Sequence, residues 1–172
     1  MKRSLLTLSF FAGLAAWASA QSPSVGPSPA EELKMLKANG TLMEDLLGHG
    51  VRVADANTPL DRAEKCRDAS ASLKRAIEDA GDDPDRIAEL AEYLAEIIRD
   101  GLAPNLATAR EQIHPGSQDY GRMSKLHTEV RQDFVLYQQA IPSDGKSGRS
   151  LRVKDARQKL SDAGARVPAI KE

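Results

Sequence analysis

Histidine and glutamate side chains are the residues of this chain best suited to metal chemistry. Glu111 and His114 have the Glu-x-x-His spacing that carboxylate-bridged di-iron bundles use. Such a site needs two copies of this motif and two further glutamates facing inward. Neither of the other histidines, His49 and His127, has a glutamate three residues before it. We therefore expect no metal site, and Glu111, His114 and His127 are only weak candidates for metal ligands.

Cys66 and His127 are the candidates for covalent or acid–base chemistry. Cys66 lies on an apolar stripe, where a nucleophilic role would require a nearby histidine and an electropositive setting. His127 also lies on an apolar stripe, which favours a hydrogen-bonded core residue over a ligand. Both patterns favour burial, although reactivity of Cys66 is left open by the sequence.

Motifs for bound cofactors or nucleic acids are missing from the sequence. It contains no glycine-rich phosphate loop, no Cys-x-x-Cys-His motif, no basic stripe with aromatic residues and no Ser-His-Asp set with supporting context. We therefore expect no cofactor, no nucleic-acid partner and no enzymatic activity.

The first twenty residues have the pattern of a secretory signal peptide. Two cations in residues 1–3 precede an apolar run, Leu5–Trp17, and then the small residues Ala18-Ser19-Ala20. A membrane-spanning helix would need about 20 apolar residues, so this run is too short for an anchor. The pattern predicts cleavage between Ala20 and Gln21 and a periplasmic or secreted protein with no transmembrane segment after cleavage.

Composition favours helices over strands. Aromatic residues make up only 4% of the chain, whereas sheets draw on aromatic and β-branched side chains. A single cysteine allows no intrachain disulfide, so helix packing must stabilise the fold. The expected fold class is an all-α, up-and-down bundle of about four helices, over residues 30–141.

The first two helices follow a flexible leader at residues 21–29, which is rich in Ser, Pro and Gly. The first begins at Ser28-Pro29-Ala30-Glu31, which has the form of a capping box, and Asn39-Gly40 is a plausible break in it. The second begins at Thr58-Pro59-Leu60-Asp61. Its apolar face has steps of three and four residues and comprises Leu60, Ala63, Cys66, Ser70, Leu73 and Ile77.

The last two predicted helices differ in regularity. The third begins at Pro84, and Gly101 and Pro104 predict a kink or short break before one more helical stretch. The fourth follows a turn at His114-Pro115-Gly116-Ser117. It has a heptad-like, coiled-coil seam made of Tyr120, Met123, His127, Val130, Phe134, Tyr137 and Ile141.

Charge divides the chain into an acidic body and a basic end. Residues 21–141 contain 14 Lys or Arg and 21 Asp or Glu, a net charge of −7, while residues 143–172 contain 8 and 4, a net charge of +4. We expect residues 142–172 to form a basic tail with at most one short helix. Such a tail is either solvated or in contact with an anionic surface.

Several segments are similar to a known group of proteins. They are Pro59-Leu60-Asp61-Arg62-Ala63-Glu64-Lys65-Cys66, Arg86-Ile-Ala-Glu-Leu, Gly101-Leu-Ala-Pro-Asn-Leu and Ile113-His-Pro-Gly-Ser. Over residues 30–140 the chain resembles small, signal-peptide-bearing, all-helical bacterial proteins of planctomycete-like genomes. That group has no assigned activity. The resemblance implies an export signal and a bundle, and it carries over no site residue.

Two functions are compatible with these features. The leading hypothesis is an exported, non-enzymatic interaction, scaffold or chaperone-like protein with a protein partner in the cell envelope. The alternative is a periplasmic ligand- or metal-binding bundle that uses His114, His127 and nearby carboxylates. We expect a monomer, and a dimer formed through the Tyr120–Ile141 seam is the alternative.

Overall fold

The structure is a computed structural model that describes residues 29–168 of the chain. Within these residues helices are the only regular secondary structure. Side chains are described for residues 39–168. The all-α fold class is therefore confirmed. The chain divides into two units, Met1–Lys37 and Ala38–Glu172, and the described core lies in the second. The predicted signal peptide and its cleavage site between Ala20 and Gln21 lie outside the described residues.

Helix α1 spans Pro29–Ala54 without interruption. The break expected at Asn39-Gly40 is therefore wrong. A glycine inside a helix costs only about 1 kcal/mol relative to alanine, which neighbouring turns and packing can offset. Leu42, Leu46 and Val53 of α1 pack against the core.

Helix α2 spans Pro59–Asp79 and begins as predicted. The Thr58 side chain accepts a hydrogen bond from the Asp61 backbone N–H at 3.0 Å, which satisfies a donor that the first turn would otherwise leave free. The predicted apolar face is buried, from Leu60 at the start to Ile77 near the end.

The third helical region contains three consecutive segments: α3 at Pro84–Glu96, a π-helical segment at Ile97–Leu102, and α4 at Ala103–Gln112. The expected irregularity is thus a wider helical turn and not a break. Pro104 has no N–H to donate to the preceding turn. The Asn105 side chain donates a hydrogen bond to the Gly101 carbonyl at 2.8 Å.

Helix α5 spans Gln118–Ala140 and carries the predicted seam into the core. Met123, His127, Val130 and Tyr137 are buried, and Tyr120 and Phe134 pack against the core from its edge. The seam therefore packs within the chain itself.

The segment after residue 142 corrects the expected domain boundary. It contains a short helix, α6 at Gly145–Gly148, and then α7 at Leu151–Gly164. The buried face of α7 consists of Val153, Ala156, Leu160 and Ala163. The predicted short helix exists, but it packs in the core alongside α3 instead of belonging to a tail.

Ion pairs explain the basic charge of α7. Arg152 contacts Asp85 at 2.8 Å and Lys159 contacts Glu92 at 2.9 Å. Both ion pairs join α7 to α3. The two cations are seven residues apart on α7, and the carboxylates that they contact are seven residues apart on α3 in the same order. The two helices therefore run in the same direction. The anionic surface that meets this basic segment is therefore helix α3 of the same chain.

No helix in residues 29–168 is both long enough and apolar enough to cross a membrane.

Candidate functional site

A groove with a volume of about 850 Å³ lies between α1, α2 and α3. Its walls and floor are mainly apolar, and include Leu42, Leu46 and Val53 of α1, Ala69 and Leu73 of α2, and Leu90 of α3. The α1 side chains recur at steps that keep them on one helix face. That face is directed at the core, but α1 does not close completely on α2 and α3.

The floor of the groove depends on a close approach between Cys66 and Gly101, which both line it. A Cβ atom at position 101 would lie 2.8 Å from the Cys66 Sγ, so only glycine fits there without movement. Cys66 is 5% exposed, and its burial raises the pKa of the thiol. A neutral thiol is a poor nucleophile, so Cys66 acts here as a small apolar floor residue.

A hydrogen-bonded polar group lies at the edge of the groove and connects α1 to α2. His49 Nδ1 accepts from the Arg52 guanidinium at 2.9 Å. Because arginine can only donate, the proton of the neutral imidazole lies on Nε2, which then donates to Ser72 Oγ at 3.2 Å. Ser72 in turn donates to Asp45 Oδ2 at 3.2 Å and accepts from Arg75 at 3.3 Å.

This group contains serine, histidine and aspartate, but its hydrogen bonds run in the wrong direction for nucleophilic catalysis. A catalytic histidine accepts the serine proton on one nitrogen and donates to the carboxylate from the other. Here His49 donates to Ser72, and the carboxylate of Asp45 accepts from the serine instead. The arrangement therefore holds α1 in place and cannot activate the Ser72 hydroxyl.

Burial is the main reason why the pKa of His49 lies below its usual value. The side chain is 8% exposed, and the neighbouring Arg52 cation lowers the pKa further. The carboxylates of Asp45 and Asp68 act in the opposite direction but do not outweigh burial. The neutral form of His49 is thus the one that fits this site.

The residues singled out as weak metal candidates do not meet in the fold. Glu111 and His114 are exposed at the end of α4 and in the turn after it. His127 is buried on α5, where its Nε2–H donates to the Pro168 carbonyl. Within residues 29–168 no group of three or more His, Cys, Asp and Glu side chains is placed to hold a metal ion.

An exposed apolar stripe on the outer face of α1 extends the groove. The stripe consists of Met43, Leu47 and Val51, which are 58%, 65% and 61% exposed. Met43 and Gly50 line the groove and also a second depression of about 490 Å³ over the stripe. The groove and the stripe therefore form one continuous apolar surface around α1.

Sequence reasoning did not identify this surface. Met43, Leu47 and Val51 follow one another at steps of four, which was the available signal. Leu42 and Leu46 belong to a neighbouring stripe, which packs against the core. In the structure these are two different faces of α1.

Comparisons of this chain with protein-family models, with curated proteins and with solved structures give no match. The resemblance to the small exported helical proteins therefore stays a prediction.

Proposed function

We propose that this chain is an exported, non-enzymatic interaction protein of the cell envelope, with a scaffold or chaperone-like role, that binds an apolar segment of a partner protein. The observation that carries this proposal is the groove between α1, α2 and α3. Grooves of this kind bind partner segments by burying their apolar side chains. The exposed stripe next to the groove enlarges this apolar surface, and contiguous apolar patches exposed to water are typical of interaction sites.

The non-enzymatic part of the proposal is supported by the chemistry of the groove. Its cysteine is buried with a raised pKa, and its histidine donates to the neighbouring serine instead of accepting from it. Neither side chain is prepared to attack or deprotonate a substrate.

The export part of the proposal is supported by the apolar run Leu5–Trp17 and the small residues before Gln21. Sequencing the N-terminus of protein recovered from the cells that make it tests this directly. We expect a chain that begins at Gln21. A chain that retains Met1 would contradict cleavage.

Site-specific photo-crosslinking in those cells tests the binding site. Tyr93 lines the groove and is 47% exposed, so replacing it with the photoreactive p-benzoylphenylalanine places the probe at the mouth of the groove. The matched control is the same replacement at Val135 of α5, which is 51% exposed and does not line the groove. We expect a discrete polypeptide adduct from position 93 only. The absence of an adduct at 93, or the same adducts at both positions, would contradict the proposal.

A small apolar ligand is the second candidate occupant. It is favoured by the volume of about 850 Å³, because ligand pockets span about 300–1,000 Å³. Native mass spectrometry of protein from its own compartment distinguishes the two candidates. A discrete added mass of a small molecule would favour the ligand, whereas the bare chain together with a polypeptide adduct would favour the protein partner.

A further inference from the structure

We infer that the segment bound by this apolar surface is an amphipathic helix whose apolar face is flanked by lysine or arginine. This inference rests on the proposed function and names the class of partner at the same site. It follows from the length of the surface, from its continuity around α1, and from the charges along its edges.

The dimensions of the surface suit a helix. The α1 wall of the groove runs from Asn39 to Val53, which at 1.5 Å per residue is about 21 Å, the length of a helix of about 14 residues. The apolar surface continues from the groove over Met43 to Leu47 and Val51. A single small molecule would leave that outer part uncovered, whereas a helix lying along α1 contacts both parts.

Carboxylates border the surface on the α3 side. Glu89 and Glu96 both line the groove and lie seven residues apart, which places them two turns apart on one face of α3. The one cation of α3 at this edge, Arg86, already pairs with Glu89 at 3.2 Å. The Glu96 carboxylate is exposed at the edge of the groove.

Carboxylates also border the stripe on the α1 side. Glu44 lies three residues before Leu47, and Asp55 lies four residues after Val51, so both neighbour the stripe. Both side chains are exposed. The nearby cation of α1, Arg52, is directed to His49 on the side that faces α2.

These charges discriminate between classes of occupant. An anionic lipid or an acidic helix would bring like charges against Glu44 and Glu96, whereas a cationic helix pairs with them. The same carboxylates oppose a second copy of this chain, because two α1 stripes packed together would bring Glu44 and Asp55 of both copies to one interface. With α7 included, residues 21–172 carry a net charge of −3, from −7 over residues 21–141 and +4 over residues 143–172, and this negative charge attracts the same cationic partner at longer range.

A pair of synthetic peptides tests this inference. Both have about 14 residues, to match the groove, with leucines at the same helical positions, and they differ only in carrying lysine or glutamate on the polar face. Fluorescence anisotropy with the purified protein measures the Kd of each. We expect the lysine peptide to bind at least about tenfold more tightly in dilute buffer. The ratio should approach one near 1 M salt, where charges are screened beyond about 3 Å.

Variants locate the binding. Glu96→Lys should weaken binding of the lysine peptide several-fold and strengthen that of the glutamate peptide. Glu111→Lys makes the same change of charge at an exposed site outside the apolar surface around α1. It should leave the Kd values of both peptides nearly unchanged. Equal effects of the two variants would show that only overall charge matters, and would overturn the inference.

The remaining outcomes separate this inference from the proposed function. Equal binding of both peptides, lost in Leu47→Ser, would overturn the cationic partner while supporting an apolar binding surface. Binding of neither peptide would also overturn the inference, and the crosslink at Tyr93 then decides the proposed function by itself.

Discussion

Gly101 of the π-helical segment lies directly against Cys66 of α2, where a methyl group at position 101 would be 2.8 Å from the Cys66 Sγ. This contact brings the two helices together beneath the groove. The next atom that such a methyl group would meet is the Cys66 Cβ at 3.7 Å, an ordinary contact distance. The sulfur atom alone therefore makes glycine necessary at position 101.

We expect Gly101→Ala to lower the free energy of unfolding by about 1–3 kcal/mol, because the added methyl group overpacks this contact. In Cys66→Ala the sulfur is gone, so adding Gly101→Ala to that variant should cost much less. Urea denaturation of both single variants and the double variant gives the coupling energy between the two positions. A coupling energy near zero would contradict the contact.

Two leucines of α7 test whether the basic segment belongs to the core. Leu160 is fully buried, whereas Leu151 is 82% exposed on the same helix. We expect Leu160→Ala to lower the free energy of unfolding by about 2–5 kcal/mol, since it leaves a cavity. Leu151→Ala should change it by less than about 0.5 kcal/mol. Similar small effects at both positions would indicate that α7 is a detachable tail.

Local signals explain which parts of the fold the sequence predicts well. The start of α2 is determined by a local hydrogen bond, which the Asp61 N–H donates to the Thr58 side chain three residues earlier. This bond requires no contact with another helix. The seam of α5 is long and has large side chains at regular steps. By contrast, the buried face of α7 contains two alanines among many charges, and its burial depends on α3, which lies far away in the sequence.

The candidate site was beyond sequence reasoning for the same reason. Ser72 bonds to residues 23 and 27 positions away, His49 and Asp45, so the polar group exists only after folding. The groove depends on the distance that α1 keeps from α2 and α3, and no residue pattern encodes that distance. Only the burial of Cys66 and His127, which lie on apolar stripes, was predictable from periodicity.

Two glycines test the continuity of α1. Neither Gly40 nor Gly81 has any atom within 4 Å of the position that a Cβ would occupy, but Gly81 has a φ of +62°. We expect Gly40→Ala to stabilise α1 by up to about 1 kcal/mol, because alanine favours the helix. Slower amide hydrogen exchange across residues 40–54 measures this gain. Gly81→Ala should be destabilising instead, because its backbone conformation disfavours a side chain. Unchanged exchange in Gly40→Ala would contradict a continuous helix.

The Tyr137 hydroxyl is buried near the Ser70 side chain, without a well-formed hydrogen bond to any described residue. Burial, reinforced by the nearby Asp133 carboxylate, holds the pKa of this phenol well above its usual value. We expect Tyr137→Phe to leave the free energy of unfolding unchanged or raise it by about 1 kcal/mol, because it removes a buried polar atom that makes no well-formed hydrogen bond. Thermal denaturation checks this, with Tyr120→Phe at the core edge as the control. A clear loss of stability in Tyr137→Phe would show that the hydroxyl has a partner.

The depressed pKa of His49 predicts that stability falls as the pH drops below about 6.5. Between the lowered folded pKa and the unfolded value, the unfolded chain binds a proton at this position and the folded chain does not. Stability therefore rises with pH across this window and is lost as the pH falls. Protonation would also place a proton on Nδ1, facing the Arg52 donor 2.9 Å away, and so remove the hydrogen bond between these two side chains of α1.

We expect the melting temperature of the wild-type protein to fall more steeply between pH 7 and about pH 5 than that of His49→Gln, because the variant has no group to protonate at this site. The carboxylates that face His49, Asp45 and Asp68, and the cations Arg52 and Arg75 are the same in both proteins. The comparison between the two proteins therefore isolates the imidazole of His49. The control is His114→Gln, which removes an exposed histidine and should keep the wild-type slope. Parallel slopes for all three proteins would mean that protonation of His49 does not contribute to the pH dependence of stability.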